Sequence, residues 1–239
     1  SQTEPEQNHI VSAFVFELSK VETPAIRERA VSHLLHIDEK MGRRVAAGLR
    51  LEGTIERAET KVPARREVKP SPALSIIGKA PQSIKGRIIG CLVSDGADRS
   101  IVEALRKSVE QEGARLKIVA PHIGGAKMGD GKMLAADTRI DGGPSIFFDA
   151  VAVVVSEDGA KELARDAGAV GFVADAFNHL KIIGQVPAAA PLLRRAGIGD
   201  DLADEGVVAL REPGSVAGFI AAAKKTRVWA REPKVRNIP

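Results

Sequence analysis

The sequence has no tyrosine and is poor in aromatic residues of every kind. Among its 239 residues there are 7 phenylalanines, 1 tryptophan and 0 tyrosines, so that aromatics make up 3% of the chain. Without tyrosine the chain cannot supply a phenolate ligand to an iron atom. The core must therefore be built from valine, isoleucine, leucine and alanine, which suit buried strands and closely packed helices.

Cysteine is nearly absent as well. Cys91 is the single cysteine, which excludes an internal disulfide and a cysteine-rich metal site. It lies in the middle of an apolar run, where a buried thiol has a raised pKa and is inert. We expect Cys91 to be a small core residue.

The histidines and aspartates do not form a recognisable metal site. His33 and His36 are three residues apart and could share a helix face, but no acidic pair has matching spacing, and zinc needs three or four convergent ligands. Asp130, Asp137 and Asp141 lie in a glycine-rich stretch that lacks the EF-hand spacing. The sequence therefore predicts no metal site.

Long apolar runs and a concentrated basic face are also missing. No apolar run approaches the ~20 residues of a membrane helix, and the start lacks a signal-peptide pattern. The net charge is +4, and the basic residues are dispersed apart from small clusters at Arg65-Arg66 and Lys224-Lys225. Nucleic-acid binding needs a concentrated basic face. We expect a cytoplasmic protein without a membrane or nucleic-acid partner.

Three regions differ in composition and predict the domain organisation. Residues 1–51 have helical spacing and form a predicted helical arm. Thr23 and Pro24 are typical of a helix start, and the second helix is expected to run to Gly48. Residues 52–85 are rich in proline and charge and predict an extended linker, whose Leu74, Ile76 and Ile77 need cover.

Residues 86–239 alternate strand and helix, which predicts an α/β domain with three layers, a parallel sheet and right-handed crossovers. The predicted strands are residues 87–93, 116–120, 151–155, 171–174 and 207–210, with 133–138 as a possible hairpin strand. The predicted helices are residues 100–112, 159–167, 176–184 and 216–225.

The turn after the first predicted strand is a candidate phosphate-binding site, but the residues of the turn disfavour that role. A helix start beside a strand end can bind phosphate through its N–H groups. The turn Val93–Asp98 has neither a G-x-G-x-x-G pattern nor a P-loop lysine, and Asp95 and Asp98 would repel phosphate. Asp98 or Ser100 is better explained as a helix cap.

Three segments carry a resemblance to a known family. These are Glu6–Asp38, Pro72–Val93 and Gly171–Gly184, and they resemble the carboxyl-terminal part of a large-subunit haem catalase. The resemblance implies that the arm completes the helical region of a haem-bearing core and that the linker runs across a tetramer. The α/β domain would cover the surface where small-subunit catalases bind NADPH. Expected partners are the catalase core and its tetramer mates, in a homo-oligomer.

The same resemblance places the reaction centre outside this chain. Catalases convert hydrogen peroxide to water and oxygen, a reaction that serves defence against oxidative stress, and they hold their haem through a tyrosine. The distal histidine and asparagine and the proximal tyrosine would lie upstream. We therefore expect no catalytic, cofactor-binding or metal-binding residue in this chain, and no cofactor apart from the haem of the parent enzyme.

Residues from Gly86 onward are similar to the flavodoxin-like fold of the DJ-1/PfpI and class I glutamine amidotransferase families. Those enzymes place a nucleophilic cysteine on a tight turn after a strand. The matching turn is expected to carry Ala176 and Phe177, which have no nucleophilic atom. His179 is expected to be a hydrogen-bonded helix residue.

Two classes of function remain open. The first is a non-catalytic domain for stabilisation and oligomerisation, with ATP-independent chaperone (holdase) activity as a further hypothesis. The alternative is a residual DJ-1/PfpI-like small-molecule enzyme, which the missing nucleophile disfavours. The holdase hypothesis depends on apolar residues of the arm that would be left in water without a catalase core. These are Ile10, Phe14, Leu18, Ile26, Leu34, Ile37 and Met41.

Overall fold

The structure is a computed structural model that describes residues 1–51, 53, 55–63, 65, 67–199 and 201–236. The contacts divide the chain into two compact units, the first built on Ser1–Ala80 and the second on Pro81–Val235. Glu52 at the start of the predicted linker, Arg66 of the basic pair and residues 237–239 lie outside the described residues.

The first unit begins with three helices, α1 (Glu4–Ser19), α2 (Pro24–Ile37) and α3 (Glu39–Gly48). Thr23 is the N-cap of α2 and Pro24 its first residue, as predicted. The prediction of one continuous helix to Gly48 is wrong because the backbone of Asp38 is extended. The Asp38 carboxylate accepts a hydrogen bond from the Met41 amide at 2.9 Å and starts α3.

A small apolar core holds the three helices together. Its buried members are Val11, Val31, Leu34, Leu35, Val45 and Ala46. Helices α2 and α3 approach closely at Gly42, where a Cβ atom would lie 2.7 Å from the backbone nitrogen of Leu35. The expectation that Leu34 lies on a free apolar surface is therefore wrong.

Other apolar side chains of the helices remain exposed, as expected. Phe14, Ile26 and Ile37 are 38%, 48% and 65% exposed, whereas Ile10, Leu18 and Met41 are half-buried. Ile26 and Ile37 belong to the same helix and are eleven residues apart, close to three full turns, so they lie on one face of α2. Exposed apolar side chains of the first unit thus include this face of α2 and, on α1, Phe14 and the 62% exposed Phe16.

The segment 72–79 forms two short 3-10 turns, Pro72–Leu74 and Ile77–Lys79. The expectation that its apolar residues are covered is wrong for Leu74 and Ile76, which are 60% and 75% exposed. The segment is held instead by hydrogen bonds to a carboxylate of α1.

That carboxylate belongs to Glu6, which is 8% exposed. It accepts hydrogen bonds from the amides of Thr3 at 2.6 Å and Ile77 at 3.0 Å, and from that of Ile76. The Ser75 hydroxyl donates a further bond at 3.3 Å. The Thr3 bond contributes most to lowering the pKa of Glu6 from 4.5 to about 2, burial opposes it, and the Ile77 and Ile76 amides add to it.

The second unit contains a six-stranded parallel sheet and a separate hairpin. The sheet strands are β1 (Ile88–Val93), β2 (Arg115–Ala120), β5 (Thr138–Arg139), β6 (Ala150–Val154), β7 (Ile183–Gln185) and β8 (Val207–Ala209). The hairpin pairs β3 (Ala126–Lys127) with β4 (Met133–Leu134). The sheet order is β5-β2-β1-β6-β7-β8. Without the edge strand β5, this is the strand order of flavodoxin-like folds.

Helices cover both faces of this sheet. They are α4 (Arg99–Gln111), α5 (Glu157–Leu163), α6 (Ala167–Asn178), α7 (Ala190–Arg195), α8 (Val216–Ala223) and α9 (Glu232–Val235). Helix α4 packs against α8, whereas α7 packs against α5 and α6. Right-handed crossovers that leave β1 and β6 in opposite directions put these two groups on opposite faces. The predicted three-layer α/β fold is confirmed.

Two predicted elements of this unit are wrong. The predicted strand 171–174 lies inside α6, and the predicted helix 176–184 spans the end of α6 and the start of β7. Asp166 caps α6 by accepting a bond from the Ala169 amide at 2.8 Å, so the helix begins earlier than expected. A short apolar run does not distinguish a buried helix from a buried strand. The predicted strand 133–138 divides into β4 and the start of β5.

None of the helices in the described part of the chain combines the length and the apolar character that a membrane span requires.

Candidate functional site

The turn from β1 into α4 is organised by its own acidic residues. Asp98 accepts hydrogen bonds from the Ser100 amide at 2.8 Å and the Ser100 hydroxyl at 2.7 Å, so Asp98 is the cap of α4. Asp95 accepts a bond from the Lys127 amide at 2.8 Å. The two carboxylates place negative charge at this helix start, where a phosphate would otherwise be favoured.

The switch point of the sheet lies beside β1, which has β2 on one side and β6 on the other. Doubly wound sheets bind ligands at the carboxyl ends of the strands at this point. A cavity of about 170 Å³ occurs there, and its lining includes His122, Glu162 and Asp166. The exposed His122 follows β2, and the two acids belong to α5 and the cap of α6.

The serine in this cavity is engaged in holding the turns together. Ser94 is 3% exposed. Its hydroxyl donates to the Asp95 carbonyl at 3.1 Å and accepts from the Ser156 amide at 3.0 Å. The start of α5 passes so close that a Cβ on Gly159 would lie 2.0 Å from Ser94 Oγ. Ser94 therefore joins two strand ends, and no base among the described side chains bonds to it.

The predicted nucleophile position does not lie on a turn. Ala176 and Phe177 are buried residues of α6 and not part of a strand–turn–helix. The turn that follows β7 consists instead of Val186, Pro187 and Ala188. The predicted position of the nucleophile turn at Ala176 and Phe177 is therefore wrong. The three side chains of the turn after β7 also have no nucleophilic atom, so this turn too argues against nucleophilic catalysis.

His179 and Cys91 occupy ordinary structural positions. His179 is the C-cap of α6, and its amide donates to the Asp175 carbonyl at 2.9 Å. Cys91 is fully buried in β1, as predicted, and burial raises the pKa of its thiol to about 12. A thiol in this state is not a nucleophile at neutral pH.

The aspartates of the glycine-rich stretch are each paired with a cation. Asp130 lies 2.7 Å from Arg99, and Asp137 lies 2.9 Å from Lys117. Asp141 forms an exposed pair with Arg139. Among the described residues, no group of three or more histidine, cysteine or acidic side chains is arranged to hold a metal ion.

A buried ion pair in the second unit was missed by the sequence reasoning. The fully buried Arg231 binds both carboxylate oxygens of Asp204 at 2.7 Å. It also donates to the carbonyls of Phe177 at 3.2 Å and Lys181 at 2.9 Å, with its guanidinium 4.1 Å from the Phe177 ring centroid. Burial raises the pKa of Asp204, but the bonds from Arg231 and Gly206 outweigh burial and lower it. Arg231 thereby fastens the turn before α9 to the end of α6.

Lys181 is a second buried cation of this unit. It is 2% exposed, and its ammonium donates to the Ser145 carbonyl at 2.6 Å. Burial first, and then the nearby Arg227, lower the pKa of Lys181 from 10.5 to about 8, whereas Asp149 and Asp175 partly oppose this shift. Neither Arg231 nor Lys181 is distinguishable in the sequence from the many solvated cations, because burial depends on the tertiary fold.

Comparison with known proteins gives two family matches. Residues 1–49 match the family described as catalase-related immune-responsive, and residues 85–233 match the C-terminal domain found in long catalases.

Individual catalases match the chain along nearly its whole length. Catalase C of Rhizobium meliloti (strain 1021) is 49% identical over 236 residues, which cover 99% of this chain and 33% of that protein. Catalase HPII of Pseudomonas aeruginosa is 36% identical over 244 residues, covering 100% of this chain and 33% of the relative. Catalase-B of Dictyostelium discoideum is 35% identical over 244 residues, covering 100% of this chain and 34% of that protein. The chain thus spans about a third of the length of these relatives.

Proposed function

Because this chain belongs to the family of C-terminal domains found in long catalases, we propose that it is a non-catalytic region that stabilises such an enzyme and contributes to its assembly. The disproportionation of hydrogen peroxide would be performed by the remainder of the enzyme. The observation that carries this proposal is that the chain spans about a third of its relatives and has no tyrosine to bind haem iron.

The apolar surface of the first unit supports a role in interaction. Ile26 and Ile37 are 48% and 65% exposed on one face of α2. Soluble proteins rarely expose groups of large apolar side chains without a partner. In a complete catalase this face would contact the haem-bearing core, and in the separate chain it would be free to bind other apolar surfaces.

From this surface we infer a second activity of the chain by itself, the ATP-independent holding of unfolded clients. The test is heat-induced aggregation of an unrelated enzyme, followed by light scattering in the presence of the full chain. We expect suppression near an equimolar ratio without ATP. Failure to suppress, or suppression equal to that by serum albumin, would contradict the holdase activity.

Two variants test whether the exposed face of α2 is the surface that suppresses client aggregation. The double substitution Ile26→Ser and Ile37→Ser should reduce suppression because it removes the apolar contact. Ile123→Ser is the control, since Ile123 is 63% exposed and belongs to the second unit. Equal loss in both variants would show that the face of α2 is not the client surface.

A further inference from the structure

The sulfur-containing side chains of this protein differ in their access to solvent. The chain has 3 methionines and 1 cysteine. Cys91 and Met128 are 0% and 2% exposed. Met41 is half-buried in the first unit, whereas Met133 in the second unit is 59% exposed. Because oxidation of sulfur depends on exposure to the oxidant, Met133 is the sulfur atom most open to a dissolved peroxide.

A lysine lies directly opposite this methionine in the hairpin of β3 and β4, where Lys127 is the register partner of Met133. The adjacent amide of Met128 donates to the Lys132 carbonyl at 2.9 Å, which makes Lys127 and Met133 a non-hydrogen-bonded pair. The side chains of such a pair share one face, with their Cβ atoms about 4.5–5.5 Å apart. Both residues are exposed, whereas the neighbouring Ala126 is buried. Two long side chains at this spacing bring the Lys127 ammonium within reach of the Met133 sulfur.

The ammonium of Lys127 has no competing partner in the described part of the chain. Neither a hydrogen bond nor an ion pair joins it to any other residue that the structure describes. Asp130, the carboxylate of the hairpin loop, is paired instead with Arg99 at 2.7 Å. Lys127 can therefore donate a hydrogen bond to a molecule that approaches from solvent.

Bonds to the start of α4 and the turn before it fix the backbone of both members of the pair. Arg99 of α4 donates to the Met133 carbonyl at 3.2 Å. The Lys127 amide donates to the Asp95 carboxylate at 2.8 Å, and the Lys127 carbonyl accepts a bond from the Gly96 amide at 2.8 Å. Because both strands of the hairpin are held, the ammonium and the sulfur are presented together.

We propose that Lys127 and Met133 form a peroxide-reactive site, at which Met133 is oxidised to the sulfoxide faster than a free methionine side chain. The sulfur lone pair forms a bond to one oxygen of hydrogen peroxide while the O–O bond breaks, so sulfur loses two electrons and the peroxide gains them. The departing hydroxide takes the proton of the new S–OH group, and the products are methionine sulfoxide and water. The Lys127 ammonium donates a hydrogen bond to the departing oxygen, on which negative charge develops, and keeps its own proton.

The oxidation is local and goes beyond the proposed function, because the stabilisation of an enzyme requires no oxidisable side chain. A polar sulfoxide replaces an apolar group on an exposed face, where the Lys127 ammonium can donate to the new oxygen. Methionine sulfoxide is returned to methionine by dedicated reductases, so the change is reversible. The buried side chains of the hairpin, Ala126 and Met128, take no part.

The test is a time course of the full chain in dilute hydrogen peroxide, with N-acetylmethionine amide in the same solution as an internal reference. Peptide mass spectrometry measures the gain of an oxygen atom at each methionine. We expect Met133 to react about three- to tenfold faster than the reference, the factor that one hydrogen bond at the transition state supplies. Met41 and Met128 should react more slowly than the reference because burial restricts the access of the oxidant.

Three variants isolate the effect of the ammonium. Lys127→Gln should lower the rate at Met133 to that of the reference, and Lys127→Arg, which retains a cationic donor, should restore most of the difference. Lys132→Gln removes the same charge from the exposed residue before Met133. It should leave the rate unchanged, because consecutive side chains of a strand point to opposite faces. The thermal unfolding midpoint should be retained in Lys127→Gln because the described bonds of Lys127 are made by its backbone.

Two outcomes would overturn the proposal. If Met133 reacts no faster than the reference, it is an ordinary exposed thioether. If Lys127→Gln and the native chain react at the same rate, the ammonium has no part in the oxidation. Peroxide is added to the purified chain, so neither result depends on whether the chain stabilises a catalase or holds unfolded clients.

Discussion

The two units of this chain differ in how they are held together. The first unit has a core of six buried apolar residues among those described, and a buried carboxylate, Glu6, fixes its final segment. The second unit has a far larger core, with fully buried Phe172 and Phe219 among its large members. Burial of apolar surface increases the free energy of unfolding in proportion to the buried area. The second unit should therefore be the more stable of the two.

This difference also separates the roles we assign to the units. Part of the apolar residues of the first unit lie on an exposed face, where Ile37 is 65% exposed. Such a face suits contact with a larger protein. The second unit keeps its apolar residues mostly inside. We therefore expect denaturant unfolding of the full chain in two steps, the first unit before the second.

The most damaging single change should be Arg231→Ala in the second unit. It would leave Asp204 without its cationic partner and remove the bonds that Arg231 donates to the buried carbonyls of Phe177 and Lys181. Breaking a buried pair from one side costs about 3–5 kcal/mol. Urea unfolding should show the second transition at lower denaturant, which would weaken the contrast between the units. Arg195→Ala, an exposed position, is the control, and an equal effect of both variants would contradict the role of the buried pair.

Leu35→Ala should act on the first unit alone. Leu35 is 1% exposed in the small core, and truncation of a buried leucine costs about 2–5 kcal/mol. We expect the first transition to shift or to disappear because that unit is unfolded from the outset, while the second transition keeps its midpoint. NMR signals from β1 and β6 report the second unit. Loss of those signals in Leu35→Ala would show that the units do not fold independently.

The pH dependence should differ between the units above neutrality. The pKa of Lys181 is lowered from 10.5 to about 8 in the folded state. Between these values the unfolded chain binds the additional proton, so the second unit gains stability as pH rises from about 8 to about 10.5. Lys181→Met should remove this rise. Urea midpoints measured across that interval test it, and an unchanged slope in Lys181→Met would assign the rise to another group.

At acid pH the sensitive residue should be Glu6 of the first unit. Its pKa is lowered from 4.5 to about 2, so its contribution is complete above 4.5 and is lost as pH falls through about 2. Glu6→Gln should loosen the segment 72–79 and the start of α1, because glutamine cannot accept all of the bonds that the carboxylate receives from both. Hydrogen exchange should become faster at the Ile76 and Ile77 amides and remain unchanged in α2. Unchanged protection at Ile76 would mean that other contacts hold the segment.

The parts of this fold that the sequence predicts are those set by local pattern. The apolar runs of β1 and β6, the proline start of α2 and the Asp98 cap all follow from neighbouring residues. The four-residue run 171–174 predicts a strand where the structure has a helix, because apolar runs of that length suit both kinds of buried element. The apolar spacing continues across Asp38 and therefore gives no sign of the break between α2 and α3.

The contacts that matter most for the sites depend on residues far apart in the chain. Glu6 binds amides about 70 positions away, and Arg231 meets Asp204 across 27 positions. Neither partner has a local signal in the sequence. Periodicity predicts the elements, whereas these contacts require the assembled tertiary structure.

We propose that the reaction chemistry of the parent enzyme lies outside this chain. The direct measurement is oxygen evolution from hydrogen peroxide by the purified chain after incubation with haem, together with its absorption in the Soret region. We expect no oxygen above a protein-free control containing the same haem, and no Soret band that titrates to one haem per chain. Oxygen evolution that rises in proportion to such a band would contradict it.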